Sequence, residues 1–165
     1  MDLRKGDKIC KHPLMSPAGR PTITNRRARH DFEILTRYEA GIELKGSEVK
    51  SVREGKVDLS GSYCRFRDGE LFLIGATIAP YDKASTHESY DPHRPRKLLL
   101  HRRELNRLEQ AVSQRGLTIV PLKMYFKGHL VKVEIALARG KKIYDKREAI
   151  KKREFERRAS RIKAR

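Results

Sequence analysis

The sequence predicts a mainly β protein with helices: a small closed antiparallel β-barrel, two or three flanking helices, and a basic C-terminal tail. Three observations carry that expectation. Two β-prone runs meet at Asp68–Gly69 and two more around Lys127–Gly128, each a short-range hairpin signal. Val131, Val133, Ile135 and Leu137 alternate with their neighbours, which puts one face of a strand in a core. With about five or six strands of such length, closure into a small barrel removes exposed edges.

Each element follows in order. Residues 1–23 carry prolines at 13, 17 and 21 and glycines at 6 and 19, show no apolar period, and are expected to form a mobile basic arm. Phe32, Ile34, Tyr38, Ile42 and Leu44 mark an extended segment, with a bend or bulge expected at Gly41. GSEVKSVREGK, residues 46–56, places Val49 and Val52 three apart between a serine start and a glycine stop, which suits about two helical turns against a sheet. VDLSGSYCRFRDGELFLIGATIAPY is the first hairpin. Residues 82–97, with Pro92 and Pro95, read as a loop with a basic exit. Leu98 to Arg115 reads as an amphipathic helix, with Leu105, Leu108 and Val112 at helical spacing and Gly116 as its stop. LTIVPLKMYFKGHLVKVEIALA is the second hairpin. The barrel domain is expected over residues 24–139 and the tail over residues 140–165.

Lysine and arginine number 39 against 21 aspartates and glutamates, a net charge of +18 in 165 residues. Such an excess points to a polyanion, either nucleic acid or an anionic membrane. No apolar run approaches the ~20 residues of a spanning helix, and the N-terminus lacks the apolar core of a signal peptide. A cytoplasmic protein with no membrane partner is therefore expected. Cys10 and Cys64 have no partner at metal-ligand or redox spacing and read as reduced thiols, Cys64 in the core and Cys10 exposed.

The candidate binding residues cluster. TNRRARHDFE places Arg26, Arg27, Arg29 and His30 before the first long strand, suited to phosphate contact or to a solvated basic lead-in. Asn25 beside them can hydrogen-bond locally or to a base edge. Glu39, acidic in a basic protein, either holds a neighbouring arginine or accepts hydrogen bonds from a nucleobase, and a surface counter-ion is the commoner role. HRPRKLLL fixes Arg94, Arg96 and Lys97 against a leucine triplet, and basic side chains on a rigid element contact phosphate with less entropy lost. Arg102 stands on the basic flank of the helix that follows.

His87 and Glu88, with Asp91 and His93, could hold a divalent metal or act as acid and base on a phosphodiester, which gives a metal-dependent small ribonuclease as one alternative. Their spacing matches no ligand geometry, and two prolines stiffen the loop, so a structural loop near RNA is favoured. A general single-stranded RNA-binding barrel is the other alternative.

NRRARHDF, YEAGIELKGSEVKSVREGK, the DGE hairpin with its downstream IAPY, ASTHESYDPHRPRKLLLHRREL and ALARGKKIYDKR, in this order over roughly residues 24–150, resemble the small protein B family, the SsrA-binding proteins of bacterial trans-translation. The resemblance implies an oligonucleotide-binding-like β-barrel that binds the tRNA-like domain of transfer-messenger RNA and delivers it to ribosomes stalled on broken messages. It implies no enzymatic chemistry, no cofactor and no metal, and a monomer is expected. By motif, Asn25 and Glu39, with Lys97 to Leu100 including Leu99, belong to the RNA-binding surface. Gly140, Lys141, Lys142, Asp145, Lys146 and Arg147 belong to a tail that enters the empty messenger channel and the decoding centre. The arm before Thr24 departs from the pattern, and Tyr144 stands where many relatives carry histidine. An aromatic ring can stack on a ribosomal base in either case, but proton donation at neutral pH would be lost.

From Gly140 onward, twelve lysines and arginines face four acidic residues, a net charge of +8. Glu148–Lys152 and Glu154–Arg158 are well-oriented pairs worth only ~0.2–0.5 kcal/mol each, and the apolar stripe is too sparse for a packed helix. The tail is expected to be disordered when free and helical in an RNA-lined channel.

Overall fold

The computed structural model describes residues 14–15, 19–81 and 90–141. In chain order the elements are β1 (Leu14–Met15), β2 (Pro21–Thr24), α1 (Arg26–Asp31), β3 (Phe32–Ile42), α2 (Gly46–Arg53), β4 (Val57–Asp58), β5 (Tyr63–Arg67), β6 (Glu70–Ile74), β7 (Thr77–Ile78), β8 (Arg96–Leu99), α3 (Arg102–Arg115), β9 (Thr118–Lys127) and β10 (Leu130–Gly140). Six strands close a ring in the order β9, β10, β3, β8, β6, β5, and the ring shuts where Cys64 of β5 pairs with Ile119 of β9. All its pairings are antiparallel. The expected small barrel is thus present. β2 joins β9 further along the same edge at Met124 and Lys123, and β4 pairs with β7 as a separate ribbon.

The interior follows from strand periodicity. Val131, Val133, Ile135 and Leu137 of β10 meet Leu71 and Leu73 of β6, Cys64, Leu98, Met124 and Phe126, all buried. Each fully buried side chain of this size contributes about 1.5–3 kcal/mol. α2 and α3 close the core with Val52 and Leu108, both fully buried. The turn between β5 and β6 is Asp68–Gly69 with φ of 54° and 72°, both left-handed, as the twist of a two-residue hairpin loop requires.

A second, smaller cluster lies beneath α1: Ala28, Val120, Leu122, Ala136 and Ala138, with Phe32 and Ile34 against it. Two β-bulges create it. Between β10 and β3 the register passes from Leu137↔Thr36 to Ala138↔Ile34, which leaves Leu35 as the extra residue. Between β10 and β9 it passes from Glu134↔Lys123 to Ile135↔Pro121, which leaves Leu122 as the extra residue. One inserted residue reverses the parity of a strand, so the even-numbered Ile42, Ala40, Met124 and Phe126 face the barrel core while Ile34, Phe32 and Val120 face α1. The bulge also accommodates Pro121, which has no N–H to give to a ladder.

Several expectations change. Pro21, Thr22 and Ile23, expected in the arm, form a strand with Thr24 in which Ile23 is buried, and Leu14–Met15 pairs with it. The bulge falls at Leu35 rather than Gly41. Gly41 instead lies between Lys132 and Leu99, where an added Cβ would stand 3.3 Å from the Leu99 Cβ. Arg96–Leu99 is a strand, not the end of a loop or the start of a helix, because Leu98 pairs with Leu71 and Ile42 inside the ring. α3 therefore begins at Arg102, where the Glu104 carboxylate accepts from the His101 N–H at 3.1 Å. β10 buries both faces near its end, through Ala136 and Ala138 as well as Ile135 and Leu137. The expected arm over 1–13 and 16–18, with Cys10, lies outside the described residues, as does the expected tail from 142 onward.

Candidate nucleic-acid interface

Asn25 builds the first part of the surface instead of facing solvent. It is 3 % exposed. Its Oδ1 accepts from the Ala28 N–H at 3.1 Å and caps α1, while Nδ2 donates to Leu59 O at 2.9 Å and to Pro121 O at 3.0 Å. Every polar group of the amide is engaged internally, so it has no donor left for a base edge. What the cap secures is a short helix with Ala28 turned inward and Arg26, Arg27 and Arg29 exposed. His30 Nδ1 lies 3.0 Å from Asp31 Oδ1.

The end of β10 meets the same helix. Gly140 pairs with Phe32, the Lys141 N–H donates to Asp31 O at 3.0 Å, and Lys141 Nζ donates to Arg29 O at 3.2 Å. These bonds satisfy carbonyls at the C-terminal end of α1 with a cation, the sign the helix dipole favours there. The chain thus leaves the barrel beside the α1 arginines, next to a cleft of about 400 Å³ bordered by Arg27, Asp31, Phe32 and Tyr63. Lys142, Tyr144, Asp145, Lys146 and Arg147 lie outside the described residues.

Glu39 stands on the same strand pair at its other end. Glu39 pairs with Glu134 and Phe32 with Gly140, six residues along β10, about 20 Å at strand rise. Its carboxylate does not hold an arginine. Tyr125 Oη donates to Oε2 at 2.5 Å and Lys127 Nζ to Oε1 at 3.0 Å. The Tyr125 hydrogen bond, then the Lys127 ammonium, hold the Glu39 carboxyl below its usual range. Burial and the facing carboxylate push the Tyr125 phenol well above its own, so it remains a donor at neutral pH. Lys123 lies over the Tyr125 ring at 5.0 Å and bridges to Glu134 at 2.9 Å. Tyr125 and Lys127 were not among the sequence candidates. The one signal for them is the Lys127–Gly128 hairpin, whose register sets Tyr125 opposite Lys132.

The cluster at 94–102 divides. Arg96 is fully buried and cannot meet phosphate. Its Nε donates to Glu48 Oε1 at 2.9 Å, and its other nitrogens donate to Ala76 O at 2.9 Å and Pro92 O at 3.0 Å. Arg94 forks onto the same carboxylate and keeps only part of its surface. Burial alone would raise the Glu48 carboxyl, but Arg94, the Lys45 N–H and Arg96 outweigh it and hold the group ionised below its usual range. Lys97 bridges to Glu70, Leu99 is 52 % exposed, and Arg102 donates to Gly69 O at 3.1 Å from an exposed position. Of the residues read as a possible metal or catalytic set, Asp91 accepts from the His93 N–H at 2.9 Å, a local loop bond, and His93 Nδ1 faces Thr77 Oγ1 of β7 at 3.1 Å. His87 and Glu88 lie outside the described residues, and among the described residues no three His, Cys, Asp or Glu side chains converge on a point.

Comparison with known proteins places this geometry. The family model described as "SmpB protein" matches residues 22–165. An SsrA-binding protein of Thermus thermophilus is 60 % identical over 134 residues, 80 % of this chain and 92 % of the relative. One from Chloroflexus aggregans is 59 % identical over 133 residues, covering 81 % and 84 %. A solved chain from a structure described as "tmRNA-SmpB: a journey to the center of the bacterial ribosome" superposes with a TM-score of 0.64 at 58 % identity, covering 79 % of this chain and 94 % of that one. A match of this extent settles the relationship: the chain belongs to the SmpB family.

Proposed function

We propose that this chain is an RNA-binding adaptor that binds the tRNA-like domain of transfer-messenger RNA and delivers it to stalled ribosomes for trans-translation, its basic tail occupying the empty messenger channel and decoding centre. One geometric observation carries the reading beyond family membership. The paired strands β3 and β10 run from the Glu39–Tyr125–Lys127 patch at one end to the Lys141 root of the tail at the other. An adaptor needs two RNA-facing ends held at a fixed separation, and a two-stranded antiparallel wall supplies it.

At the first end, Glu39, Lys97, Leu99 and Arg102 form the surface for the tRNA-like domain. Glu39 is held ionised as an acceptor for base donors, and Leu99 offers an apolar contact above Gly41. Recognition there works by shape and unpaired bases, since the deep major groove of an RNA helix admits no side chain. At the second end, Arg26, Arg27 and Arg29 add phosphate contacts beside the tail, and Gly140, Lys141, Lys142, Tyr144, Asp145, Lys146 and Arg147 carry the ribosomal function. No step in this scheme makes or breaks a covalent bond, and it places the protein in the cytoplasm, where ribosomes work.

Gel shifts with transfer-messenger RNA and with an unrelated folded RNA of similar length test the first end; equal affinity for both would sink the proposal. A chain cut after Lys141, which keeps the tie to α1, should bind transfer-messenger RNA normally and fail to support peptide tagging of stalled products.

A further inference from the structure

Lys141 is the first residue beyond the sheet, since the β10–β3 ladder ends at Gly140↔Phe32. Both its backbone and its side-chain donor return to α1. The N–H reaches Asp31 O at 3.0 Å and Nζ reaches Arg29 O at 3.2 Å. A helix leaves its last carbonyls without partners, and α1, with six residues, is too short to persist unaided. Its N-terminal end is pinned by the buried Asn25, whose amide also bonds the Leu59 and Pro121 carbonyls. At its C-terminal end the Phe32 N–H closes onto Ala28 O, and Lys141 holds two more of the carbonyls there. Lys141 is half-buried, unlike Arg139 and Gly140 before it, which are exposed.

We propose that Lys141 is a positioning residue: it clasps the root of the tail to α1 and so sets the direction in which the tail leaves the barrel, acting on ribosomal RNA through the residues that follow and not through a phosphate contact of its own. The clasp deepens the proposed adaptor function and rests on it for the tail's destination. Direction matters because of leverage. Beyond Lys141 the chain has 24 residues, 142–165. A helix of that length is about 36 Å long, so a swing of about 20° at its root displaces the far end by about 12 Å. Each unheld residue adds two soft dihedrals, and one freed residue permits such a swing. The same helix presents Arg26, Arg27 and Arg29, so the clasp also fixes the tail's departure relative to those guanidinium groups. A tail aligned before it meets RNA loses less freedom on binding.

Three full-length chains test the clasp. Lys141→Met keeps the stem and loses the cation, Lys141→Arg keeps a donor that reaches Arg29 O, and Lys142→Met removes the same charge one residue later. In the free chain, Lys141→Met should speed amide exchange at Phe32 about two- to five-fold, the effect of a cation at a helix C-terminus, while Lys141→Arg and Lys142→Met exchange there as the native chain does. With stalled ribosomes, Lys141→Met should lower peptide tagging by about the same factor and leave the slope of log affinity against log salt at its native value. It should bind the tRNA-like RNA within two-fold of native. Unchanged exchange at Phe32 overturns the proposal, as does an equal rise in Lys142→Met. So does a slope lowered by about 0.7–0.9, which would make Lys141 a phosphate ligand, or native tagging despite faster exchange. Failure of the native chain to bind the tRNA-like RNA would overturn the adaptor reading, while exchange at Phe32 in the free chain would still decide whether the clasp exists.

Discussion

Asn25 and Arg96 have the composition of RNA ligands and the environment of structural pins. Asn25→Ala removes a helix cap and strips two buried carbonyls of their donor, so it should lower stability by about 2 kcal/mol in a denaturant titration. An unchanged midpoint would return Asn25 to the surface. Glu48→Gln leaves the buried Arg96 without its counter-charge and should cost about 3–5 kcal/mol. The sign with pH follows from the lowered folded value. The unfolded chain binds the proton first on acidification, so the carboxylate's stabilisation is complete above the ordinary carboxylate range near ~4.3 and is lost as pH falls through the folded value. The difference between native and Glu48→Gln should therefore be flat at neutrality and shrink in acid; a difference that grows in acid would refute the assignment. His87-Glu88 raised a catalytic possibility from composition alone, and the bonds that Asp91 and His93 make, one within the loop and one to β7, give it no support.

At the scale of elements, the sequence was legible where local chemistry decides. Asp68–Gly69 demanded a left-handed turn and got one, α2 ran between its expected limits, and Val131 to Leu137 kept one face inside. Legibility failed where a partner strand decides. Leu98–Leu99 carry no period of their own and became strand because Leu71 and Ile42 accept them, and Pro21–Thr24 became strand because β9 offers an edge. Neither partner is visible in the segment itself. The bulges were equally hidden, since a register shift belongs to a pair of strands. Their importance gives a direct test: deleting Leu35 restores simple pairing and turns Phe32 and Ile34 away from α1. Amide exchange at Ala28 should then lose protection while the Leu71–Leu73 strand keeps its own. Protection retained at Ala28 would mean that the bulge does not seat α1. For the interface, charge announced RNA but not which cations are free, because Arg94, Arg96 and Lys97 look alike in sequence and differ in the fold, where Arg94 and Arg96 share the Glu48 carboxylate at unequal burial and Lys97 is bridged to Glu70.

For the whole molecule, a net charge of +18 means that binding is largely counterion release. If about six phosphates are neutralised, log affinity for transfer-messenger RNA should fall with log salt at a slope near −4 to −5, and a flat response would remove the electrostatic basis of the interface. The buried Arg96 contributes nothing to that slope, so Arg96→Met should leave it intact even where it lowers stability.

The closure of the ring sets a clock as well as a shape. β5 and β9 are joined through one residue pair, and one side of that seam is Cys64, whose burial pushes the thiol well above its ordinary value. A thiol in that state is inert until the strands part. In a Cys10→Ser chain, the labelling rate of Cys64 by a thiol reagent should therefore read how often the barrel springs open, and bound transfer-messenger RNA should slow it in proportion to the fraction of chain occupied.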